Sequence, residues 1–221
     1  MKYVISDIHG ESSTFFKMLE KINFSTKDEL YIIGDIMDRG EDTLSIIEYV
    51  RKQNNIYYIK GNHEEMFIDF VRRNDPFPWI NNGGLNTYNQ IAKKGVKYMN
   101  ELYDYINTLP FYMVVDKYIL VHAGLEVPIR HKSLTIKDLI ERYGEDNCLW
   151  SKDLVGKERK FKDYTIICGH TPTQVIPNNK DKGKIFYTTG TIYIDCGCGF
   201  DDGHLGCLCL DTMEEFYVEY D

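Results

Sequence analysis

The sequence predicts a single α/β domain that begins with a parallel βαβ arrangement and continues with a mostly antiparallel half. Short apolar runs alternate with stretches of helical spacing in the first third of the chain. Short strands separated by turn residues dominate its last part. The 221 residues, 43% of them hydrophobic, suffice for one domain with a substantial core, and we assign residues 1–221 to it.

Three apolar runs predict the first strands, over Lys2–Ser6, Leu30–Ile33 and Ile56–Ile59. Helical spacing predicts one helix capped by Ser12 or Ser13, a second over Asp42–Gln53 and a third over Glu64–Arg73. This alternation requires right-handed crossovers and a largely parallel sheet. Ligands of such sheets bind outside the carboxyl ends of the strands.

The pattern changes after Arg73. Asp75–Asn86 contains two prolines and a glycine pair, and it predicts a loop. The next predicted elements are helices over Tyr98–Thr108 and Thr135–Tyr143 and strands over Phe111–Val115, Tyr118–Val121 and Tyr164–Cys168. From Ile185 onward we expect short alternating strands with turns near Asp201–Gly203 and Asp211–Thr212.

Composition limits the partners. A net charge of −8 argues against a nucleic-acid polymer, although bound metals can still attract a phosphorylated substrate. The first candidate ligand, Asp7, leaves no room for a signal peptide, and no stretch approaches the roughly 18 apolar residues of a membrane span. Six cysteines are too sparse for a disulfide framework. We expect a cytoplasmic protein without a membrane partner, and the oligomeric state is not predicted.

Six short blocks combine glycine with Asp, His or Asn, the residues that hold divalent cations through oxygen and imidazole nitrogen. Glycine lets the backbone turn sharply and approach a ligand closely. Five blocks end an apolar run, and the sixth is a loop: Ser6–Gly10, Gly34–Gly40, Gly61–Glu64, His122–Gly124 and Gly169–Thr171, with Asn82–Gly84 between the third and fourth. Together they predict one metal site.

In order and spacing, these blocks resemble those of the phosphoprotein phosphatase family, within the calcineurin-like metallophosphoesterases. They are most similar to the bacterial and phage branch of lambda-type serine/threonine phosphatases. The resemblance runs from Lys2 to about Thr171 and is weaker through the C-terminal strands. It implies the calcineurin-like metallophosphoesterase fold, a central two-sheet β-sandwich flanked by helices. It also implies two divalent metal ions, with Mn²⁺ favoured and Fe or Zn²⁺ as alternatives.

Carried over block by block, the resemblance implies the ligands and the reaction. Asp35 would bridge the two ions, because a carboxylate has two oxygens and a charge that screens their repulsion. The bridging hydroxide would then attack phosphorus directly, with no covalent enzyme intermediate. The first ion would be held by Asp7, His9 and Asp35, and the second by Asp35, Asn62, His122 and His170.

Three further residues of these blocks receive catalytic roles from the same resemblance. His63 would protonate the leaving alkoxide. Asp38 would hold the His63 imidazole in its productive orientation. Arg39 would bind the phosphate through its guanidinium fork.

The sequence offers several candidates for further contacts with the substrate phosphate and for the wall of the cleft. Lys152 stands where the family has a second phosphate-binding arginine, and lysine keeps the charge but loses the fork. Arg159 is the alternative for this contact. Asn82, together with Trp79, is a candidate for the wall of the substrate cleft, although Trp79 could equally anchor its loop. Ser6 and Lys60 also depart from the residues common in the family, glycine and arginine.

Two other sets of residues receive a structural interpretation. A zinc site is one hypothesis for the C-terminal cysteines, but their C-x-C spacing and apolar neighbours favour small buried hydrophobic side chains. The cysteines concerned are Cys196, Cys198, Cys207 and Cys209. His131 and His204 lie outside the blocks, and we expect them at the surface.

The leading hypothesis is a metal-dependent phosphomonoesterase acting on phosphoserine or phosphothreonine in proteins, with small phosphoesters as alternative substrates. The runner-up is a nucleotide hydrolase similar to the dinucleoside tetraphosphatases, which share most of these blocks. Glu64 and Asp38 favour the protein phosphatases over those relatives. A third reading, an inactive phospho-binding module, is disfavoured by the intact ligands and the intact Asp38–His63 pair.

Overall fold

The structure is a computed structural model that describes residues 1–125, 135–152, 155–156, 161 and 163–220. The strands of this part are β1 (Lys2–Ile5), β2 (Glu29–Ile33), β3 (Ile56–Ile59), β4 (Tyr112–Val115), β5 (Tyr118–Val121), β6 (Thr165–Cys168), β7 (Phe186–Thr188), β8 (Thr191–Tyr193), β9 (His204–Cys209) and β10 (Glu215–Glu219).

The helices are α1 (Ser12–Lys21), α2 (Thr43–Val50), α3 (Asn62–Arg73), α4 (Phe77–Trp79), α5 (Leu85–Lys94), α6 (Val96–Asn107), α7 (Ile136–Tyr143) and α8 (Asp146–Trp150). A π-helical segment, Ile80–Gly84, joins α4 to α5. None of the helices in the described residues combines the length and the apolar character needed to cross a membrane.

The strands form two mixed five-stranded sheets, with the orders β10-β9-β1-β2-β3 and β4-β5-β6-β8-β7. In the first sheet, β1, β2 and β3 are parallel to one another. Strand β9 pairs antiparallel with β1, and β10 pairs antiparallel with β9. In the second, β5, β6 and β8 are parallel, and β4 and β7 pair antiparallel at the edges. The predicted fold class is confirmed, and the C-terminal half is parallel only at the centre of its sheet.

The core lies in three layers that follow from the two-residue period of the strands. Val4 belongs to the apolar cluster between the two sheets, whereas its neighbours Tyr3 and Ile5 face the cluster under the N-terminal helices. A third cluster lies on the far side of the second sheet and includes Leu139 of α7 and Cys148 of α8. The sheets are therefore held together face to face, and their strand ends meet at common edges.

The described chain differs from the sequence predictions in one segment above all. The predicted loop Asp75–Asn86 is mostly helical, and α5 after it was not predicted. Prolines fit the first turn of a helix, where no hydrogen bond is lost, and Gly83 absorbs the kink at φ +102°. The Trp79 side chain buried beneath this segment gives it a tertiary anchor that local propensity does not show.

Smaller differences concern helix ends. Helix α1 begins at Ser12 and its N-cap is Glu11, without a side-chain cap, so the predicted serine cap is wrong. Helix α2 is capped by Asp42, whose carboxylate accepts from the Ser45 amide. Helix α8 was not predicted.

Candidate metal centre and catalytic site

The predicted ligands lie on loops at the carboxyl ends of five strands. Asp7 and His9 follow β1, Asp35 follows β2, and Asn62 begins α3 directly after β3. His122 and His170 follow β5 and β6 of the second sheet. Because the two sheets pack face to face, ligands separated by more than 160 positions come together at one edge of the sandwich, as the hydrogen bond from the His170 amide to Asp7 shows.

The ligand atoms form two groups that share Asp35. One group contains His9, Asp35 and His63, the other contains Asp35, His122 and His170, and within each the candidate ligand atoms lie within 4.8 Å of one another. Asp35 Oδ2 lies 3.7 Å from His9 Nε2 and 3.4 Å from His122 Nε2. The structure thus brings the proposed bridging carboxylate between the two imidazoles assigned to different ions.

Asn62 and Asp7 complete the arrangement. Asn62 Oδ1 lies 2.8 Å from His122 Nε2 and 3.0 Å from His170 Nδ1. Asp7 Oδ1 lies 4.0 Å from His9 Nε2, and the Asp7 carboxylate also accepts a hydrogen bond from Ser6 Oγ. All six residues predicted as metal ligands therefore share one cluster, in which His170 is half-buried and the other five are buried.

Two backbone carbonyls determine which imidazole nitrogens face this cluster. His9 Nδ1 lies 3.0 Å from the Met37 carbonyl and His122 Nδ1 lies 3.0 Å from the Ile33 carbonyl, so each Nδ1 carries the proton. Burial lowers the pKa of both imidazoles. The neutral rings then direct Nε2 lone pairs at carboxylate and amide oxygens, an arrangement that a divalent cation satisfies. The mixed oxygen and nitrogen donors fit Mn²⁺, Fe or Zn²⁺.

The Asp7 and Asp35 carboxyl groups are buried, and burial disfavours their ionised forms. Burial, together with the neighbouring Asp35, raises the pKa of Asp7 to about 6 although His122 opposes the shift. Burial and the nearby Glu64 raise the pKa of Asp35 to about 7, against the opposing effect of His63. Burial also lowers the pKa of His170 to about 2, so this imidazole is neutral. A bound cation would replace the protons that the two carboxyl groups otherwise keep.

The three residues with predicted catalytic roles adjoin the cluster. His63 Nδ1 donates to Asp38 Oδ2 over 2.7 Å, and Asp38 is fully buried. Burial opposes protonation of His63, but Asp35 and Asp38 outweigh it and raise the pKa of the imidazole. Arg39 Nη2 lies 3.4 Å from His63 Nε2, and the guanidinium rests on the Phe200 ring, 5.2 Å from its centroid. The predicted proton donor and the predicted phosphate ligand therefore lie side by side.

The backbone of the site adopts conformations that are unusual for residues other than glycine. Left-handed φ angles cost of order 1–3 kcal/mol each and persist only where the surroundings impose them. Six of the twelve such non-glycine residues in the described chain are predicted site residues: Asp7, His9, Asp35, Asp38, Arg39 and His170. Because half of the left-handed residues are predicted site residues, the fold accepts backbone strain in order to position these side chains.

Glu64 holds the backbone around Asp35 in place, a role that its sequence position did not lead us to predict. Its fully buried carboxylate accepts hydrogen bonds from the amides of Asp35 (2.8 Å), Met37 (3.1 Å) and Gly61 (2.8 Å). It therefore caps α3 and fixes the loop that carries Asp35. A Cβ on Gly61 would lie 2.1 Å from Asp35 Oδ1, which explains the glycine before Asn62. The capping-box position of Glu64 was the available sequence signal.

Asp195 is a second residue that the sequence analysis did not single out. It is buried in the loop after β8, and its Oδ1 accepts from the Gly197 amide over 2.9 Å. Burial and the charge of Asp7 raise its pKa strongly. An aspartate followed by glycine after a buried strand is the signature of the other blocks, and it could have found this residue.

The structure also describes three other residues that the sequence analysis singled out, Lys152, Lys60 and Asn82. Lys152 is exposed, and its charge contributes to the lowered pKa of His170. The Lys60 ammonium is buried 3.0 Å from Glu65 and over the Phe111 ring, so it has a structural partner. Asn82 Nδ2 donates to the Pro78 carbonyl. Arg159 and His131 lie outside the described residues.

Trp79 and the cysteines are inside the protein. Trp79 is 1% exposed, so it anchors its segment and does not line the cleft. All six cysteines are buried, and among the described residues none of them forms a disulfide or belongs to a candidate metal group. Three cysteines pack under the N-terminal helices, namely Cys198, Cys207 and Cys209, whereas Cys196 packs between the sheets. His204 is half-buried and lies against Tyr217.

Comparisons with known proteins match nearly the whole chain. The family described as calcineurin-like phosphoesterase matches residues 3–204. Serine/threonine-protein phosphatase 2 of Salmonella typhimurium is 32% identical over 92% of this chain and 89% of its own. The asymmetrical bis(5'-nucleosyl)-tetraphosphatase PrpE of Anoxybacillus flavithermus is 24% identical over 97% of this chain and 92% of its own. A solved serine/threonine phosphatase from Saccharomyces cerevisiae has a similar fold, with a TM-score of 0.66, 16% identity and coverage of 93% of this chain and 71% of that one.

Replacing Glu64 tests the organising role of its carboxylate. Glu64→Gln turns one acceptor oxygen into an NH₂ group that faces backbone donors. We expect it to lower the free energy of unfolding by about 2–3 kcal/mol, measured by urea denaturation in a chelator. Glu101→Gln is the control, because Glu101 is half-exposed and pairs only loosely with Lys97; its effect should stay within about 0.5 kcal/mol. Equal effects of the two substitutions would contradict this role.

Metal addition should stabilise the protein in a pH-dependent way. With pKa values of about 6 and 7, Asp7 and Asp35 keep their protons in the folded chain after the unfolded chain has lost them. Stability without metal should therefore fall as the pH rises from about 4 toward 7. Mn²⁺ should raise the thermal midpoint more at about pH 8 than at about pH 5, where protons compete. Asp35→Asn should remove most of this increase; an unchanged increase would argue against Asp35 as a ligand.

Proposed function

The chain belongs to the calcineurin-like phosphoesterase family, and we propose that it is a metal-dependent serine/threonine protein phosphatase. The observation that carries this proposal is the contact of His63 with both Asp38 and Arg39 at the edge of the cluster. A metal site alone would bind phosphate, whereas a proton donor beside a phosphate-binding guanidinium supports ester hydrolysis. The similarity to a bacterial serine/threonine-protein phosphatase at 32% identity supports the same substrate class.

Six residues of the cluster would hold the metal ions, whereas His63, although it lies in one of the two groups, is assigned the role of proton donor. Asp7, His9 and Asp35 would hold one ion, and Asn62, His122 and His170 would join Asp35 at the other. Two divalent ions, for which Mn²⁺ is our first choice, would supply Lewis-acid activation of water and of the phosphoryl group. Most residues of the cluster are buried, and the low dielectric constant of such a site strengthens the electrostatic interactions within it.

The protein's own residues perform the remaining steps. Arg39 is exposed and held on one side by Phe200, so its fork is available to the oxygens of a phosphate. Because Arg39 Nη2 lies 3.4 Å from His63 Nε2, a phosphate bound there places its ester oxygen within reach of the His63 proton. Asp38 keeps Nδ1 of His63 protonated, which leaves Nε2 as the atom that delivers a proton to the leaving alkoxide. Lys152 and Asn82 are candidates for further substrate contacts.

A nucleotide hydrolase is the second candidate function, and exposed aromatic rings favour it. Phe200 is 44% exposed beside Arg39, and Trp150 is 43% exposed with its ring 6.1 Å from that of His170. Aromatic faces of this kind can stack on nucleobases. The chain is also similar to bis(5'-nucleosyl)-tetraphosphatases over most of its length. An inactive phospho-binding module remains the least favoured candidate, because the His63–Asp38 pair is intact.

The proposed partner is a phosphorylated protein or a small phosphoester, and not a nucleic-acid polymer or a membrane. The acidic net charge of −8 supports this choice, since a polyanion would be repelled by most of the surface. A single phosphate group meets only the local field of the bound ions and Arg39. We propose a cytoplasmic location on the same compositional grounds.

A substrate panel tests the proposal. The protein with Mn²⁺ is assayed against a phosphoserine peptide, an aryl phosphate and a dinucleoside tetraphosphate. We expect the highest kcat/KM with the phosphopeptide and measurable turnover of the aryl phosphate. Preference for the dinucleotide would establish the second candidate instead. Absence of any turnover by a protein that binds Mn²⁺ would support the phospho-binding module.

The role of His63 is tested by leaving-group dependence. His63→Asn removes the proton donor, so we expect kcat for an alkyl phosphate to fall by about 10²–10⁴. An aryl phosphate has a leaving group that needs little protonation, and its kcat should fall much less. Mn²⁺ binding, followed by calorimetry, should be retained. Equal losses for the two substrates would argue against the acid role of His63.

A further inference from the structure

A buried tryptophan, Trp79, donates a hydrogen bond to the Asp38 carboxylate of the proposed catalytic pair. We propose that Trp79 is a positioning residue that holds Asp38, and through it the His63 imidazole, in the orientation that catalysis needs. The proposal rests on the proposed function, because it assigns a task within the same site. It also explains why the segment between α3 and α5 is ordered against the core.

Both hydrogen bonds that the Asp38 carboxylate accepts within the described residues end on the same oxygen atom, Oδ2. Asp38 Oδ2 accepts from His63 Nδ1 over 2.7 Å and from Trp79 Nε1 over 2.6 Å. Asp38 Oδ1 has no hydrogen-bond partner within the described part of the chain. The Asp38 amide is held by the hydroxyls of Thr43 (3.3 Å) and Thr87 (3.1 Å). The backbone of Asp38 is therefore anchored separately, and rotation of its carboxylate is opposed by only two bonds.

The indole is fixed by aromatic packing. The Phe70 ring stacks on it at 5.4 Å and 20°, and the Phe67 ring meets it edge-on at 5.4 Å. Tyr88 contacts it from a third side. Trp79 is the largest of the fully buried side chains, and its only polar atom is the one that donates to Asp38. A phenylalanine would fill most of this space but could not donate.

Gly84 shows how closely the backbone approaches this indole. A Cβ on Gly84 would lie 2.6 Å from Trp79 Nε1 and 2.7 Å from two carbons of its five-membered ring. Such a contact would push the indole away from Asp38. The preceding residue serves the other catalytic group, since the Gly83 carbonyl accepts from the Arg39 amide over 3.0 Å. The glycine pair of the Asn82–Gly84 block thus connects one segment to both Asp38 and Arg39.

Loss of the Trp79 N–H should affect the orientation of Asp38 and His63 and leave the other groups of the site in place. Without the indole N–H, Asp38 Oδ2 keeps a single hydrogen bond, and the carboxylate can rotate about its own axis together with the attached imidazole. Metal ligands and Arg39 are not displaced by such a rotation. The step that depends on His63 should therefore suffer, while phosphate binding and metal binding should not.

The test compares three substitutions. Trp79→Phe removes the donor and keeps an aromatic ring, Gly84→Ala keeps the donor but displaces the indole, and Phe70→Leu loosens the packing while leaving both in place. We expect the first two to lower kcat for an alkyl phosphate about tenfold or more, with a smaller loss for an aryl phosphate and little change in KM. The Phe70→Leu control should lower the thermal midpoint but affect both substrates equally.

A measurement without substrate separates this proposal from the proposed function. Proton NMR of the wild type should show a downfield indole N–H signal that is lost in Trp79→Phe and moves in Asp38→Asn, and a His63 Nδ1–H signal that moves or broadens in Trp79→Phe. An unchanged His63 signal, or equal losses of kcat for the two substrates, would overturn the role of Trp79. If the wild type turned over no substrate at all, the proposed function would be refuted. The NMR result would still show whether Trp79 donates to Asp38 and affects His63.

Discussion

The burial of several carboxylates at one edge of the sandwich is the constraint on which the rest of the structure depends. An isolated carboxylate in a protein interior is costly, so each needs a compensating partner. Glu64 receives three backbone amides, and Asp38 receives the His63 imidazole and the Trp79 indole. Asp7 and Asp35 have raised pKa values and lie beside the imidazoles of the predicted ligands, so a divalent cation bound there would balance their charge. Their partners thus distinguish the structural carboxylate of Glu64 from that of Asp38, predicted to orient His63, and from those of Asp7 and Asp35, predicted to bind metal.

This electrostatic arrangement requires both sheets. Asp7 and Asp35 come from the first sheet, and His122 and His170 come from the second, so the distances between ligands depend on the apolar layer that joins the sheets. Val4, Ile33 and Ile167 lie in that layer close to the strand ends that carry the ligands. The left-handed backbone at the ligands adds strain, which the packing of this layer must exceed. Metal binding would in turn connect the two sheets and add to their stability.

The chemistry and the choice of substrate reside in different parts of the site. The proposed metal ligands and the His63–Asp38 pair are mostly buried, whereas other residues of the proposed site are exposed, among them the predicted phosphate ligand Arg39 together with Lys152, Trp150 and Phe200. A family with one buried centre can accept different phosphoesters by changing such an exposed rim. Similarity to both serine/threonine phosphatases and bis(5'-nucleosyl)-tetraphosphatases is expected from this division.

The sequence by itself determined the strands and most helices, because strand and helix periodicity are local features, and the family resemblance of its glycine-containing blocks indicated the six candidate ligands. The βαβ order even placed Asp7, Asp35 and Asn62 at one sheet edge, since parallel strands share the direction of their carboxyl ends. Tertiary structure alone decided the helical fold of residues 77–94, the three-amide contact of Glu64 and the burial of Asp195. It also decided that Trp79 binds Asp38, because that contact joins positions 41 residues apart through packing that no local pattern encodes.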